Sequence, residues 1–357
     1  MRKIFLLLSC LILFACQEKK ENNNQDILQT SCLPDVDISK IQLQTTFERI
    51  DKAILEAQNE TEIQQILEKN PLYNKLYLVR EGWEKRENPQ KNKEKDFMVE
   101  ILASMAKEPH LDSLRMDYEK IIPLEKLQNQ ILDLFKRIKA HYPNFKEPEK
   151  VYFSVSGIGS FPLNTVTDIY YSPNGEILVI GLDWFLGPTY KYPLPTHIPT
   201  YIARRYVWQN IPTFVAELIG NRYNAFNPND KTVLNEMLAY AKTYYFAQSV
   251  IPCLADSLVL GYTTEQMQYI AQNKEQIWKH YLDKQVFFNT TREFRRDYVE
   301  DSPFTLPISQ ECPGGIARWS ALRMLKKYAE KNKLSLPQVM QLQDAKEILQ
   351  NSGYKGE

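Results

Sequence analysis

Histidine is scarce in this chain, with four in 357 residues. His110, His141, His197 and His280 stand far apart, and no Cys-x-x-Cys accompanies them. Zinc held at standard ligand spacing is therefore excluded, and each lone histidine reads as a surface or satisfied core residue. No G-x-S-x-G occurs, so the common serine-hydrolase elbow is missing as well. Charge of one sign is also lacking. Forty-four basic residues face forty-four acidic ones, mixed along the chain, so nothing favours a nucleic acid or another polyanion. Beyond the N-terminus no apolar run reaches the roughly 18 residues of a membrane span. The 44 acidic residues do not single out a carboxylate pair for glycosidase chemistry. "SGIGS" (residues 156–160) lacks the lysine of a phosphate-binding loop and reads as a plain loop.

The start of the chain speaks to the compartment. Arg2-Lys3 precedes "IFLLLSCLILFA", a run too short for a membrane span and right for a signal peptide. It ends in Leu13-Phe14-Ala15-Cys16, which resembles a bacterial lipobox. A lipobox needs a thiol at the new N-terminus, because the diacylglycerol is joined there as a thioether. Residues 1–15 are thus expected to be a signal peptide. Cys16 is the expected lipidation site, and residues 16–42 form a polar, disordered tether. Two or three acyl chains, at about 0.8 kcal/mol per buried methylene, hold a protein to a membrane essentially permanently. An exported location permits disulfides. Cys32 falls in the tether, while Cys253 and Cys312 fall in the folded part, where they are either bridged to each other or two separate buried thiols.

The rest reads as one α+β domain, residues 43–357, mostly helical, with a small antiparallel sheet in the middle. From "TTFERIDKAILEA" to about Tyr142 the period is helical, interrupted by the charged stretch "EKRENPQKNKEKD". Leu124, Leu127, Ile131, Leu134, Phe135 and Ile138 share one face between Pro123 and Pro143. Residues 150–182 change period. "KVYFSVSG" and "ILVIGLDWF", with Asn174-Gly175 between the later runs, predict two or three antiparallel strands. After Pro199 helices return. Thr263 with Gln266 reads as a capping box, Ser335 and Asp344 as helix starts, and Gly353 as a stop.

Several stretches together resemble the gliding-motility lipoprotein GldB family. They are "FERIDKAIL", "GLDWFLGP", "GYTTEQMQYIAQNKEQIWKHYLDKQVFF" and "PGGIARWSALRMLKKYAEKNKLSLPQVMQLQDAKEILQNSGYK". The resemblance runs from about residue 45 to the C-terminus. It implies an envelope lipoprotein of gliding bacteria and their relatives, with a binding or assembly role, envelope protein partners and no cofactor. It carries over no catalytic activity. The tail after Cys16, "QEKKEN", is mixed in sign, which favours the periplasm-facing side of the outer membrane. The order hairpin, helix, helix also resembles that of a set of zinc peptidases. On that placement Ala216 and Gly220 stand where two histidines would be, Glu217 where the general base would be, and Tyr240-Ala241 where Glu-Gly would supply the third ligand. The fold would then be a degenerate zincin, since a base without metal-bound water has nothing to activate. The alternative is an ordinary amphipathic helix with Glu217 on its wet face. A rival function is an envelope hydrolase with an unrecognised site near Glu217.

Overall fold

The computed structural model describes residues 32–78, 91–156, 168–191, 194–195 and 198–357. The signal segment and Cys16 lie outside the described residues, as do His197 and all of "SGIGS" except Ser156.

A four-stranded sheet organises the N-terminal half, in the order β1-β2-β4-β3. β1 (Thr46–Arg49) and β4 (Ile177–Gly181) flank β2 (Lys150–Ser154), and both run parallel to it. β3 (Ile169–Tyr171) pairs antiparallel with β4 across the turn at Asn174-Gly175, where Gly175 has φ 82°. The expected hairpin is therefore present, but the sheet is mixed and mainly parallel rather than antiparallel. Burial explains the difference. β2 is buried at four of five positions and β4 at all five, because helices cover the sheet. Strands buried on both faces read as continuous apolar runs, so the alternation seen in "KVYFSVSG" was no guide to their direction. β1 corrects a second expectation. Thr46–Arg49 opens the "FERIDKAIL" stretch as a strand because its partners, Lys150 to Phe153, lie about a hundred residues away.

Between β1 and β2 the chain forms α1 (Ile50–Glu56), α2 (Glu60–Lys69), α3 (Lys91–Ala106), α4 (Pro109–Ile121) and α5 (Leu124–His141). α3 begins inside the stretch expected to be a charged loop. α5 buries Leu127, Ile131, Leu134, Phe135 and Ile138, the face its spacing predicts. Asp51 on α1 is fully buried, where it takes hydrogen bonds from Arg49 (2.8 Å) and Tyr118 (2.7 Å), tying the first strand to α4.

The C-terminal half is built around α7 (Val233–Val250), buried on nearly every side as expected of a helix apolar all round. α6 (Ile211–Gly220), α11 (Ile316–Lys331), α12 (Leu336–Met340) and α13 (Ala345–Asn351) pack on it. α8 (Asp256–Leu260), α9 (Thr264–Asp283) and α10 (Arg292–Tyr298) complete the set. The Thr263–Gln266 capping box is formed, Ser335 makes a second one with Gln338, and Asp344 caps α13. Gly353, just past α13, has the left-handed φ of a stop, 73°. Buried apolar residues from both halves form one continuous cluster.

Two expectations about the cysteines and the tether are overturned. Cys253 is bonded to Cys32, with Cα atoms 4.3 Å apart, and Cys312 is a free, buried thiol. Cys312 sits in a tight loop in which Thr305 and Ser309 bind the local backbone, and it is 0% exposed, out of reach of a partner. Residues 32 and 33, placed in the tether by composition, are thus attached to the body. Arg137 donates to both Asp35 oxygens at 2.9 and 3.1 Å, and Leu33 packs on the core.

Candidate functional site

A polar recess lies where three separate stretches meet, at the side of α11. A short helical turn, Thr200–Ala203, runs out into Arg204 and Arg205. Gly261 and Tyr262 come from the end of α8, and Gln266 from the first turn of α9. Asp301, Ser302 and Pro303 form the third wall, with Gly314 and Arg318 behind them. The space among these groups is about 390 Å³ with its open mouth included, of which about 20 Å³ is enclosed room.

Glycines make the walls possible. Gly261 ends α8 at φ 68°, and a Cβ there would lie 2.6 Å from the Arg205 Cδ. A Cβ at Gly314 would lie 1.8 Å from the carbonyl oxygen of Ser302, so only glycine allows the two backbones to touch. Tyr262 donates to the Gly314 carbonyl at 2.8 Å and locks the two walls together.

The three guanidiniums are held differently. Arg318 is 6% exposed. It donates through Nε to the Val299 carbonyl and through Nη1 to Asp301 at 2.8 Å, and its plane lies 4.0 Å from the Tyr240 ring centroid. Its Nη2 is buried without a hydrogen-bond partner. Burial works against its charge, but Tyr244, Asp301 and Tyr240 outweigh that and keep it more firmly protonated than an ordinary arginine. Arg205 reaches Glu217 at 3.3 Å and lies over Phe214. Arg204 donates to the Gly261 carbonyl and to Gln266 at 2.9 Å, and among the described residues it has no carboxylate partner and leaves its buried Nε unpaired. Burial lowers its pKa, and the neighbouring Arg205 lowers it further.

The residues singled out in the sequence are now placed. Glu217 is neither on a wet face nor at the pocket wall. It is 17% exposed behind Arg205, and burial pushes its carboxyl above the usual range while Arg205 and Arg318 pull it back. Tyr240 lies under Arg318. Ala216 and Gly220 do not join them. Both are buried in the contact with α7, and a Cβ at Gly220 would come 2.8 Å from Phe246. A histidine has no room there unless Phe246 moves. Among the described residues, no group of three or more His, Cys, Asp or Glu side chains is placed to hold a metal ion. The zincin placement therefore brings together Glu217 and the third-ligand position but not the other two. Sequence reading missed Arg204, Arg205, Arg318 and Asp301. One signal was available: Arg318 interrupts the apolar run of "GIARWSALRML" and is nonetheless buried.

The fold and the recess define a mostly helical α+β protein with a cationic pocket built from glycine-dependent walls. The family described as "Gliding motility protein GldB" matches residues 31–356, and the chain belongs to it. No curated protein and no solved structure matches. Two of the stretches that carry the resemblance, "GYTTEQ" and "PGGIARW", supply two walls of the pocket. The family is one of gliding-motility lipoproteins, which implies a membrane anchor. No helix among the described residues is long and apolar enough to cross a membrane.

Proposed function

We propose that this gliding-motility lipoprotein has a binding or assembly role in the cell envelope and catalyses no reaction. In this reading the signal peptide is removed, Cys16 carries the lipid, and one domain stands off the periplasmic face of the outer membrane. Its partners are envelope proteins of the motility and secretion apparatus. The observation that carries the binding role is the pocket, whose charged groups are three arginines and an aspartate paired to one of them rather than a nucleophile with its base. The Cys32–Cys253 bond supports the exported location, since such bonds persist in oxidising compartments. One observation favours the rival hydrolase: Glu217 is a buried carboxyl with a raised pKa beside a recess, as catalytic acids often are. Against it, both Glu217 oxygens face the Arg205 guanidinium, at 3.3 and 3.5 Å.

The test is cross-linking of the tagged, mature protein in intact cells. A discrete adduct with an envelope protein, lost when Cys16→Ala releases the chain into the soluble fraction, is the expected result. A protein that forms no adduct, or whose adducts are unchanged by Cys16→Ala, contradicts the reading.

A further inference from the structure

We propose that the recess among Arg204, Arg205 and Arg318 binds a carboxylate, presented by the end of a peptide chain. The inference deepens the binding role above and relies on that role only for its biological setting.

Charge is the first argument. Asp301 and Glu217 each answer one guanidinium, which leaves one of the three without a counter-charge. Arg204 is that one, because its polar contacts are a backbone carbonyl and an amide oxygen. An unmatched cation in a half-buried position costs free energy that a bound anion recovers.

Open valence is the second argument. Arg318 is more than nine-tenths buried, and its Nη2, closed off from solvent, has no partner among the described residues, so it adds positive charge behind the recess rather than a contact surface. Arg204 Nη1 and Arg205 Nε and Nη1 make no hydrogen bond among the described residues, and both side chains line or adjoin the same recess. Guanidinium forks of this kind match the two oxygens of a carboxylate. A single excess charge fits a monoanion better than a phosphate dianion.

The surroundings suggest what the group is attached to. The loop that gives Asp301, Ser302 and Pro303 continues into Phe304 and Leu306, which are 43% and 65% exposed. Apolar side chains beside a cationic recess offer contact to the last side chains of a peptide. This is the arrangement of chain-end recognition, in which charge selects the terminus and apolar contact adds affinity.

Titration calorimetry on the detergent-solubilised mature protein tests the inference at low salt. The probes are an acetylated tripeptide with a free C-terminal carboxylate, the same peptide as its amide, acetate, and inorganic phosphate. The acid is expected to bind one per chain and the amide at least about tenfold more weakly, the scale of one lost charged hydrogen bond. Acetate binding more weakly than the peptide supports a chain end. Acetate binding as well as the peptide overturns the chain-end assignment. Arg204→Gln should weaken the acid by at least about tenfold, in a variant shown by far-UV circular dichroism to be folded, since Arg204 also donates to the Gly261 carbonyl and to Gln266. Equal binding of acid and amide, unaltered binding by Arg204→Gln, or no binding by any probe overturns the proposal. Binding of phosphate in place of the acid overturns the carboxylate assignment. A cross-linked partner that persists while all four probes fail would sink this inference and leave the assembly role standing.

Discussion

At the scale of single residues, two buried positions make sharp predictions. Lys242 is 3% exposed and donates hydrogen bonds to the carbonyls of Ala225 and Leu342, with no carboxylate partner among the described residues. Burial pushes its pKa down from 10.5 to about 8. Below pH 8 the folded and unfolded chains both carry the proton, so no pH dependence arises. Between about 8 and 10.5 the unfolded chain holds a proton that the folded chain has lost, so Lys242 adds stability as pH rises. The full shift corresponds to about 3 kcal/mol. The buried Cys312 thiol, raised from 9.0 to about 12, acts in the opposite sense above pH 9. The comparison must therefore be made against Lys242→Met. Urea unfolding of both proteins from pH 7 to 10 should show the wild type gaining on the variant as pH rises, and parallel curves would refute the assignment. Gly220 gives the second prediction. Placing histidines at both supposed ligand positions, Ala216→His with Gly220→His, should cost at least about 2–3 kcal/mol by overpacking against Phe246. The doubly substituted protein should bind no stoichiometric zinc. Tight zinc binding without loss of stability would restore the zincin placement.

Among the elements, what the sequence made legible was local. The α5 stripe, the Thr263 and Asp344 caps, the Gly353 stop and the Asn174-Gly175 turn each depend on residues within a few positions, and each is formed. What was not legible depends on distant partners. β1 is a strand because Val151 and its neighbours pair with it, and no period within Thr46–Arg49 announces that. The pocket is the same case, since its walls come from residues 201–205, 260–266, 301–303 and 314–318. The partner of Cys253 was missed for that reason too, since the sequence left only a bridge to Cys312 or two separate thiols. Two cysteines in the folded part looked like natural partners, whereas the bond spans 221 positions back to a segment that composition marked as tether. On the chain-entropy view, closing so long a loop stabilises by up to about 5 kcal/mol. Cys32→Ser should therefore lower the urea midpoint markedly. In denatured, unreduced mature protein, one thiol per chain should react, that of Cys312. Three would show that the bond is absent in the cell.

For the whole molecule, the proposed lipid on Cys16 and the docked segment at Cys32 precede a cationic recess in the distal half of the sequence. Sixteen peptide steps separate Cys16 from Cys32, so a lipid on Cys16, as proposed, would lie at most roughly 55 Å from Cys32. Protease added to intact cells should spare the protein if it faces the periplasm, and rapid digestion would place it on the outside. The claim that the body binds rather than catalyses is tested most directly by complementation of a deletion strain. Glu217→Gln keeps an oxygen for Arg205 but removes any acid or base chemistry, whereas Arg204→Gln removes the unmatched charge of the recess. With both variants expressed at wild-type level, Glu217→Gln should restore motility or growth and Arg204→Gln should not. Restoration by Arg204→Gln together with failure of Glu217→Gln would contradict the account and point to a reaction at Glu217.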